Sequence, residues 1–396
     1  MIGGGGVGAR GVALAMAMVC AALTSCAYLP PTRIPAGPTA EPRLVALDGQ
    51  SCRALLRDDA PVGSLQQATA RSIEALKRLP QDRVLRALDR EVKIEDLVAV
   101  LSAVAEITAE GGSWGQRVCD RFHLYRAELP RPLLVTGYYQ PEIAASRRRS
   151  ERFRYPLYRT PDDLVDIDLS QFCPDCRNRI GQGRVENGKV VAYYTRADID
   201  AGVLAGRAYE IAWLDDPVEA YFMHVQGSAV LRFEDGVHMQ VSYSGSNGRS
   251  YTSLGSVLIA QGKMLREAVS LQTLKDYLRA HPDEHAALTA TNQRYIFFRI
   301  VAVGPIGSLG ITLTDGRSVA ADASVYPAGA LTFFRVAPRA GSAEDKAVFS
   351  RFAVIQDAGA AISGPNRLDI YWGTGPTAER IAGELRNPGE MFLILP

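Results

Sequence analysis

Two aspartates near the end of the chain stand in segments where a carboxylate is unusual. Asp369 lies inside the apolar run Leu-Asp-Ile-Tyr-Trp (368–372), and Asp357 follows another apolar run, Ala-Val-Ile-Gln (353–356). Leu, Ile, Tyr and Trp favour strands, whereas Asp disfavours them. Apolar neighbours and partial burial raise the pKa of a carboxylic acid, because desolvation penalises the charged form. An acid that stays protonated near neutral pH can act as a general acid.

A simpler interpretation of these aspartates is that Asp369 faces solvent on an alternating strand and Asp357 anchors a turn. A third aspartate, Asp322, follows the short apolar run 319–321. The three aspartates thus end or interrupt short strand-like segments spread over about 100 residues, a pattern typical of a small closed barrel without exposed edges. The spacing therefore predicts a small closed barrel, while the simpler interpretation of the individual aspartates stays open at this point.

Helical and strand periodicities indicate the elements that position these residues. Helices are predicted at 64–79 and 95–110, because apolar residues recur there at helical spacing. Strands are predicted at 133–139, 221–226, 229–233, 238–243 and 295–301. His224 falls in one of these strands. Without a nucleophile elbow or an acidic partner at a recognisable spacing, it is interpreted as structural rather than as a triad member.

Length and charge limit the class of protein. The chain has 396 residues, enough for two domains. Its 44 basic and 43 acidic residues give a net charge of +1, so no nucleic-acid partner is predicted. No heptad pattern is evident, and a monomer is expected.

The N-terminus is typical of an exported lipoprotein. Arg10 precedes an apolar run, 12–23, that is too short to span a bilayer comfortably but suits a signal peptide. The run ends in Leu-Thr-Ser-Cys (23–26), which resembles a bacterial lipobox and implies cleavage before Cys26 and its lipidation. Residues 1–25 are thus predicted to be a signal peptide and 26–45 a proline-rich, lipid-anchored tether. An ordinary secreted protein is the alternative.

The cysteines predict disulfides rather than a metal site. Cys173 and Cys176 form a lone CxxC, and a zinc site would need further ligands that the few histidines do not supply at a suitable spacing. In an oxidising compartment a local disulfide is expected, and Cys52 could pair with Cys119.

Several longer motifs follow one another from residue 135 onward. They are VTGYYQP (135–141), DPVEAYFMHVQGSAV (216–230), YSGSNGRSYTSLGSVLIAQGKM (243–264), NQRYIFF (292–298) and the tail with its three aspartates. In this order they resemble the family of membrane-bound lytic murein transglycosylase A, over roughly residues 130–396. One departure is Gln140, where many members carry Glu.

The resemblance implies a mainly β fold with some α structure. It places a double-psi β-barrel domain at 46–138 and 292–396, with a second β domain, 139–291, inserted in it and a glycan groove between the two. The family cleaves the β-1,4 bond between N-acetylmuramic acid and N-acetylglucosamine without adding water. The C6 hydroxyl of the muramic residue attacks C1, leaving a 1,6-anhydro end.

By the same resemblance, Asp369 is the single catalytic residue, and Asp357 and Asp322 support it. The residues expected to line the groove are Thr136, Tyr138, Tyr139, Gln226, Ser228 and Trp372. No cofactor and no metal are expected. The implied partners are peptidoglycan strands, an outer-membrane lipid anchor on the periplasmic side and, as a further candidate, proteins of cell-wall synthesis.

Two other functions remain open from the sequence. A hydrolase of the same bond would need a second carboxylate roughly 5–9 Å from Asp369. A peptidoglycan-binding lipoprotein without activity would need no acid, and it would gain little from a buried carboxyl group that costs stability.

Overall fold

The computed structural model describes Met1 and residues 41–171, 173, 180–338 and 349–396. The predicted signal peptide, Cys26, most of the tether and Cys176 lie outside these residues and stay predictions. Within the described ranges, no helix is both long and apolar enough to cross a bilayer.

Helices and strands alternate along the chain. The α-helices are α1 Gly49–Leu55, α2 Val62–Leu76, α3 Ile94–Ala109, α4 Trp114–Arg121, α5 Arg196–Asp200, α6 Pro217–Gln226, α7 Leu254–Ala260, α8 Leu271–Ala280, α9 Pro282–Ala290 and α10 Pro376–Glu384. The strands are β1 Arg43–Ala46, β2 Val84–Ala87, β3 Arg90–Lys93, β4 His123–Glu128, β5 Leu133–Gln140, β6 Glu142–Ser146, β7 Tyr155–Tyr158, β8 Val165–Asp168, β9 Ile180–Glu186, β10 Lys189–Ala192, β11 Glu210–Leu214, β12 Ser228–Phe233, β13 His238–Ser246, β14 Ile296–Val301, β15 Ser318–Ala320, β16 Leu331–Val336, β17 Phe349–Asp357, β18 Arg367–Thr374 and β19 Arg386–Leu395.

Six strands close into a barrel. Their order is β19, β16, β17, β15, β18 and β5, and β5 pairs again with β19. Closure depends on the length of β19, whose first half, 386–389, pairs with β5 while its second half, 392–395, pairs with β4. A closed sheet leaves no free edge among these short strands. The predicted barrel is confirmed, and with it the fold class.

The N-terminal helices share the barrel's hydrophobic core. Leu65 of α2 and Leu101 of α3 are fully buried in one cluster with Phe333 and Phe352 of the barrel. A buried ion pair adds a polar tie, because the Arg317 guanidinium contacts both carboxylate oxygens of Asp58, at 2.6 and 2.9 Å. These helices therefore pack against the barrel as predicted.

A second sheet is inserted between β5 and β15. Its strand order is β14, β13, β12, β6, β11 and β7, with its own buried cluster around Leu157, Leu231 and Phe298. The insert was predicted to end at residue 291. Instead, β14 pairs with β13 from Gln240–Val301 to Ser246–Ile296, so the inserted sheet continues to residue 301.

The segment 221–226 was predicted to be a strand, and this prediction is wrong. It belongs to α6, whose first turn is capped by the Asp216 carboxylate, which accepts the N–H groups of Val218 and Glu219. Pro217 occupies the first helical position, and Gly227 ends the helix with φ of 84°. These start and stop signals outweigh the β propensity of the aromatic and branched residues between them.

Two N-terminal predictions are settled by the described residues. The tether was predicted to run to residue 45, but β1 starts at Arg43 and pairs with β4, so ordered structure begins earlier. Leu44 of this strand is buried. Cys52 and Cys119 form a disulfide that joins α1 to α4. The predicted disulfide within the CxxC segment involves Cys176 and stays a prediction.

Candidate functional site

Asp369 faces away from the barrel core because side chains alternate along β18. Its neighbours Leu368 and Ile370 are completely buried in the core cluster. Asp369 pairs with Ala320 of β15 on one side and with Thr136 of β5 on the other. Central strands on both sides hold the backbone of this residue, so its carboxyl group has little positional freedom.

The environment of Asp369 keeps its carboxyl group protonated to an unusually high pH. Its side chain is 15% exposed, and Oδ1 is buried with no hydrogen-bond partner among the described residues. Burial raises its pKa to about 6; the Arg367 guanidinium, 3.8 Å away, opposes this shift and Asp357 adds to it. A solitary acid with a raised pKa is suited to proton donation.

Asp357 lies at the end of β17 with both oxygens engaged. Oδ2 accepts the hydroxyl of Tyr138 at 2.8 Å, while Oδ1 accepts the backbone N–H groups of Ser308 and Ala358, each at 2.9 Å. Burial raises the pKa of Asp357, and these hydrogen bonds oppose the shift. Asp357 therefore orients Tyr138 and the loop at Ser308 around Asp369.

Asp322 connects two loops at the edge of the site. Oδ1 accepts the N–H and hydroxyl of Ser324, and Oδ2 accepts the N–H of Gly364 at 2.6 Å. Burial by itself would raise the pKa of this carboxyl, but the hydrogen bonds more than compensate and the pKa is lowered. Asp322 thus remains ionised and holds the loops together.

The three aspartates line one cavity of about 810 Å³ between the barrel and the inserted sheet. Three of the predicted groove residues also line it: Tyr138, Gln226 and Ser228. Gln226 lies at the end of α6, and its Oε1 accepts the backbone N–H of Tyr139 at 3.1 Å. This bond ties the inserted unit directly to the strand beside Asp369.

The other three predicted groove residues do not line the cavity. Tyr139 and Trp372 point to the opposite face of the sheet, where they pack with Ala378 and Ala382 of α10. Their neighbours Tyr138 and Tyr371 have rings 5.4 Å apart on the other face, as strand alternation requires. Thr136 pairs with Asp369, but its hydroxyl is buried without a partner among the described residues.

Further cavity residues were not predicted from the sequence. Arg367 precedes Asp369 by two positions, and an i, i+2 pair on a strand shares a face, so this contact could have been anticipated. Tyr251 also lines the cavity, and burial raises its pKa to about 12. Its motif was recognised, but nothing in the sequence shows that α7 and its preceding loop reach Asp369.

His224, interpreted from the sequence as structural, lies in a helix rather than a strand and also lines the cavity. Its Nδ1 accepts the N–H of Ile296 at 3.4 Å, and its ring packs edge-on against Tyr295. Burial lowers its pKa well below the ordinary value, so the ring stays neutral. Among the described residues, no cluster of His, Cys, Asp or Glu side chains is arranged to hold a metal ion.

Comparisons with known proteins match this architecture. A family model described as the MltA specific insert domain matches residues 134–299, and one described as the 3D domain matches residues 317–395. The membrane-bound lytic murein transglycosylase A of Vibrio cholerae is 31% identical over 264 residues, which cover 66% of this chain and 64% of that protein. The chain therefore spans slightly less than two thirds of that relative. The protein of the same name from Escherichia coli K12 is 30% identical over 302 residues, covering 74% and 75%.

Solved structures show the same fold over most of the chain. A membrane-bound lytic murein transglycosylase from Agrobacterium tumefaciens superposes with a TM-score of 0.77 at 30% identity, covering 89% of this chain and 97% of that one. E. coli MltA with bound chitohexaose superposes with a TM-score of 0.68 at 25% identity, covering 90% and 94%.

Proposed function

Because the chain belongs to the family of membrane-bound lytic murein transglycosylase A, we propose that it is a lytic transglycosylase of peptidoglycan. It cleaves the β-1,4 bond between N-acetylmuramic acid and N-acetylglucosamine and leaves a 1,6-anhydromuramic end. The cavity between barrel and insert holds the glycan, in keeping with the chitohexaose bound by the E. coli relative.

Asp369 carries the reaction in this proposal. Its carboxylic acid donates a proton to the glycosidic oxygen as the bond from that oxygen to C1 breaks. The C6 hydroxyl of the muramic residue adds to C1, and the new carboxylate of Asp369 takes the hydroxyl proton. The acid is thereby regenerated, no water is consumed, and neither a second carboxylate nor a cofactor is required.

One observation supports this assignment above the others. Of the three cavity carboxylates, Asp369 is the one with an oxygen that has no hydrogen-bond partner in the described part of the chain. Asp357 and Asp322 each accept protein hydrogen bonds at both oxygens. A hydrolase would need one of them as a nucleophile or water-activating base, and both are committed to holding the site in shape.

Mass spectrometry of digested peptidoglycan tests the proposal. The full-length protein should release muropeptides about 18 Da lighter than hydrolysed ones, the mass of one water. Asp369→Asn should bind the glycan and fold, but form anhydro product at least about a hundredfold more slowly, as expected when a general acid is removed. Reducing ends in the wild-type digest would indicate a hydrolase. Intact glycan that co-sediments with the protein would indicate a binding module.

The location of the protein follows from the same proposal. We propose that Cys26 is lipidated and anchors the chain to the periplasmic face of the outer membrane. The motif at 23–26 and the description of the relatives as membrane-bound support this. Incorporation of labelled palmitate should be lost in Cys26→Ser, and incorporation that survives this change would refute the anchor.

A further inference from the structure

The two walls of the cavity carry opposite charge. Its three carboxylates, Asp322, Asp357 and Asp369, all belong to the barrel. Three of its four arginines belong to the inserted unit: Arg196, Arg294 and Arg299. Among the described lining residues, the inserted wall contributes no carboxylate. A glycan backbone of neutral sugars offers hydrogen-bond acceptors but no anionic partner for these cations.

Arg299 is an available cation. It lies on β14 opposite Ser242 and is exposed, and its side chain makes no hydrogen bond or ion pair in the described part of the chain. Arg294 is half-buried, and in the described part of the chain its guanidinium donates only to the backbone carbonyl of Arg249, at 3.4 Å. Exposed arginines usually find an acidic partner when one is near. These two face a cavity instead, with their donor groups largely unused.

Arg196 holds this wall in place. It is 3% exposed and lies 5.1 Å from the centres of the Tyr221 and Tyr295 rings. Its Nε donates to the carbonyl of Asn292 at 3.1 Å, and Nη2 donates to the carbonyl of Arg294 at 2.7 Å. Arg196 thereby fixes the turn that carries Arg294, and its own buried charge adds to the positive potential of the wall.

Tuning of the catalytic acid does not explain Arg294 and Arg299. The charged groups that act on Asp369 are Arg367 and Asp357, and both belong to the barrel. The unused arginines therefore point to something in the substrate. Arginine binds carboxylates with paired hydrogen bonds and a defined geometry. N-acetylmuramic acid differs from N-acetylglucosamine by a lactyl ether, whose carboxyl group is either free or extended by a peptide that itself carries carboxylates.

We propose that Arg294 and Arg299 bind a carboxylate attached to the muramic residue, and that this contact makes the enzyme prefer charged glycan. The inference rests on the proposed function, since it assigns the substrate of the same cavity. Two parts of the substrate carry such a carboxylate: the free lactyl group and the peptide stem.

Three glycan substrates separate these sources: strands with intact peptides, strands whose peptides were removed with an amidase, and stripped strands whose carboxyl groups were converted to methylamides. The measurement is kcat/KM for anhydro product with the full-length protein. The wild type should prefer the strands that carry the bound carboxylate, whether peptide-bearing or stripped, over the methylamidated strands about tenfold, the size of one charge-assisted hydrogen bond. Arg299→Gln and Arg294→Gln should each reduce this preference through KM, and Arg299→Lys should restore part of it.

The results with the three substrates identify the bound carboxylate or overturn the proposal. If the variants lose the preference over methylamidated strands for peptide-bearing strands, the peptide carboxylate is a ligand. If they lose this preference for stripped strands, the lactyl carboxylate is a ligand. Equal loss on amidated strands, or no loss on any strand, overturns the proposal. Arg148→Gln, on an exposed loop outside the cavity, controls for long-range steering and should keep the wild-type preference. A wild type that forms no anhydro product from any strand would instead refute the proposed function.

Discussion

A carboxylic acid whose pKa is about 6 sets the expected pH dependence at the residue scale. The proposed first step needs protonated Asp369, so turnover should fall about tenfold per pH unit above pH 6. Arg367 stabilises the carboxylate, so Arg367→Gln should raise the pKa of Asp369 and move the alkaline limb of the pH–rate profile to higher pH. An unchanged limb would show that another group sets it. Arg380→Gln, in an exposed ion pair on α10, is the control.

The same acid should cost stability at neutral pH. The pKa of Asp369 is about 6 in the folded protein against an ordinary 3.8, so the penalty on folding is absent below about pH 4, builds up between about pH 4 and 6, and is complete above about pH 6. The difference corresponds to at most about 3 kcal/mol. Asp369→Asn removes the charge and should raise the free energy of unfolding in urea at pH 8, but not at pH 4. Destabilisation at pH 8 would contradict the raised pKa.

Sequence reasoning was strongest for individual residues in apolar surroundings. Leu368 and Ile370 on either side of Asp369 indicated that desolvation could raise its pKa, because desolvation is a local effect, but strand alternation left a solvent-facing carboxylate equally open. Sequence reasoning was weaker for the residues predicted to line the groove. Tyr139 and Trp372 have the residue types of a glycan site, yet one step along a strand puts a side chain on the other face. Thr136 is on the correct strand but contributes a buried hydroxyl.

At the scale of elements, α8 fastens the inserted unit to the barrel through one lysine. Lys275 is 3% exposed, and its Nζ contacts Glu219 of α6 and Glu379 of α10, each at 2.7 Å. It also donates to the Tyr139 hydroxyl at 3.2 Å. Glu219, Glu379 and Tyr139 are 56, 104 and 136 positions away in sequence from Lys275. Periodicity within one helix could not have predicted such a contact.

Lys275→Met should therefore be strongly destabilising. It preserves the length of the side chain but leaves two carboxylates partly buried beside each other, a loss of about 3–5 kcal/mol. Urea unfolding monitored by circular dichroism measures it. Lys263→Met removes a more exposed pair with Glu284 and should cost at most about 1 kcal/mol. Equal effects of the two variants would mean that the Lys275 cluster is no more stabilising than a surface pair.

The error at 221–226 also belongs to the element scale. Tyr, Phe and Val within this segment favour strands. The deciding signals lie just outside the segment, in Asp216-Pro217 at one end and Gly227 at the other. Capping fixes the ends of a helix of this length, so a window limited to the apolar residues could not identify it.

At the scale of the whole molecule, the motifs predicted the fold better than the individual predicted helices and strands did. Three short aspartate-bearing segments predicted a closed barrel, and closure is achieved by β19, which no local pattern marked as spanning two partners. The insert boundary was misplaced by about ten residues because β14 directly precedes the barrel segment and has the same apolar character. Pairing partners across a sheet decide such boundaries, and they are a property of the folded chain.

The disulfide between Cys52 and Cys119 covalently links α1 to α4 in the N-terminal region. It closes a loop over a sequence separation of 67 residues, for which loss of unfolded-chain entropy predicts about 4 kcal/mol of stabilisation. The double variant Cys52→Ser and Cys119→Ser should lower the free energy of unfolding by an amount of this order. Neither cysteine lines the cavity, so the folded variant should form anhydro product at the wild-type rate. A loss below about 1 kcal/mol would show that packing of α1 and α4 on the barrel suffices without the bond.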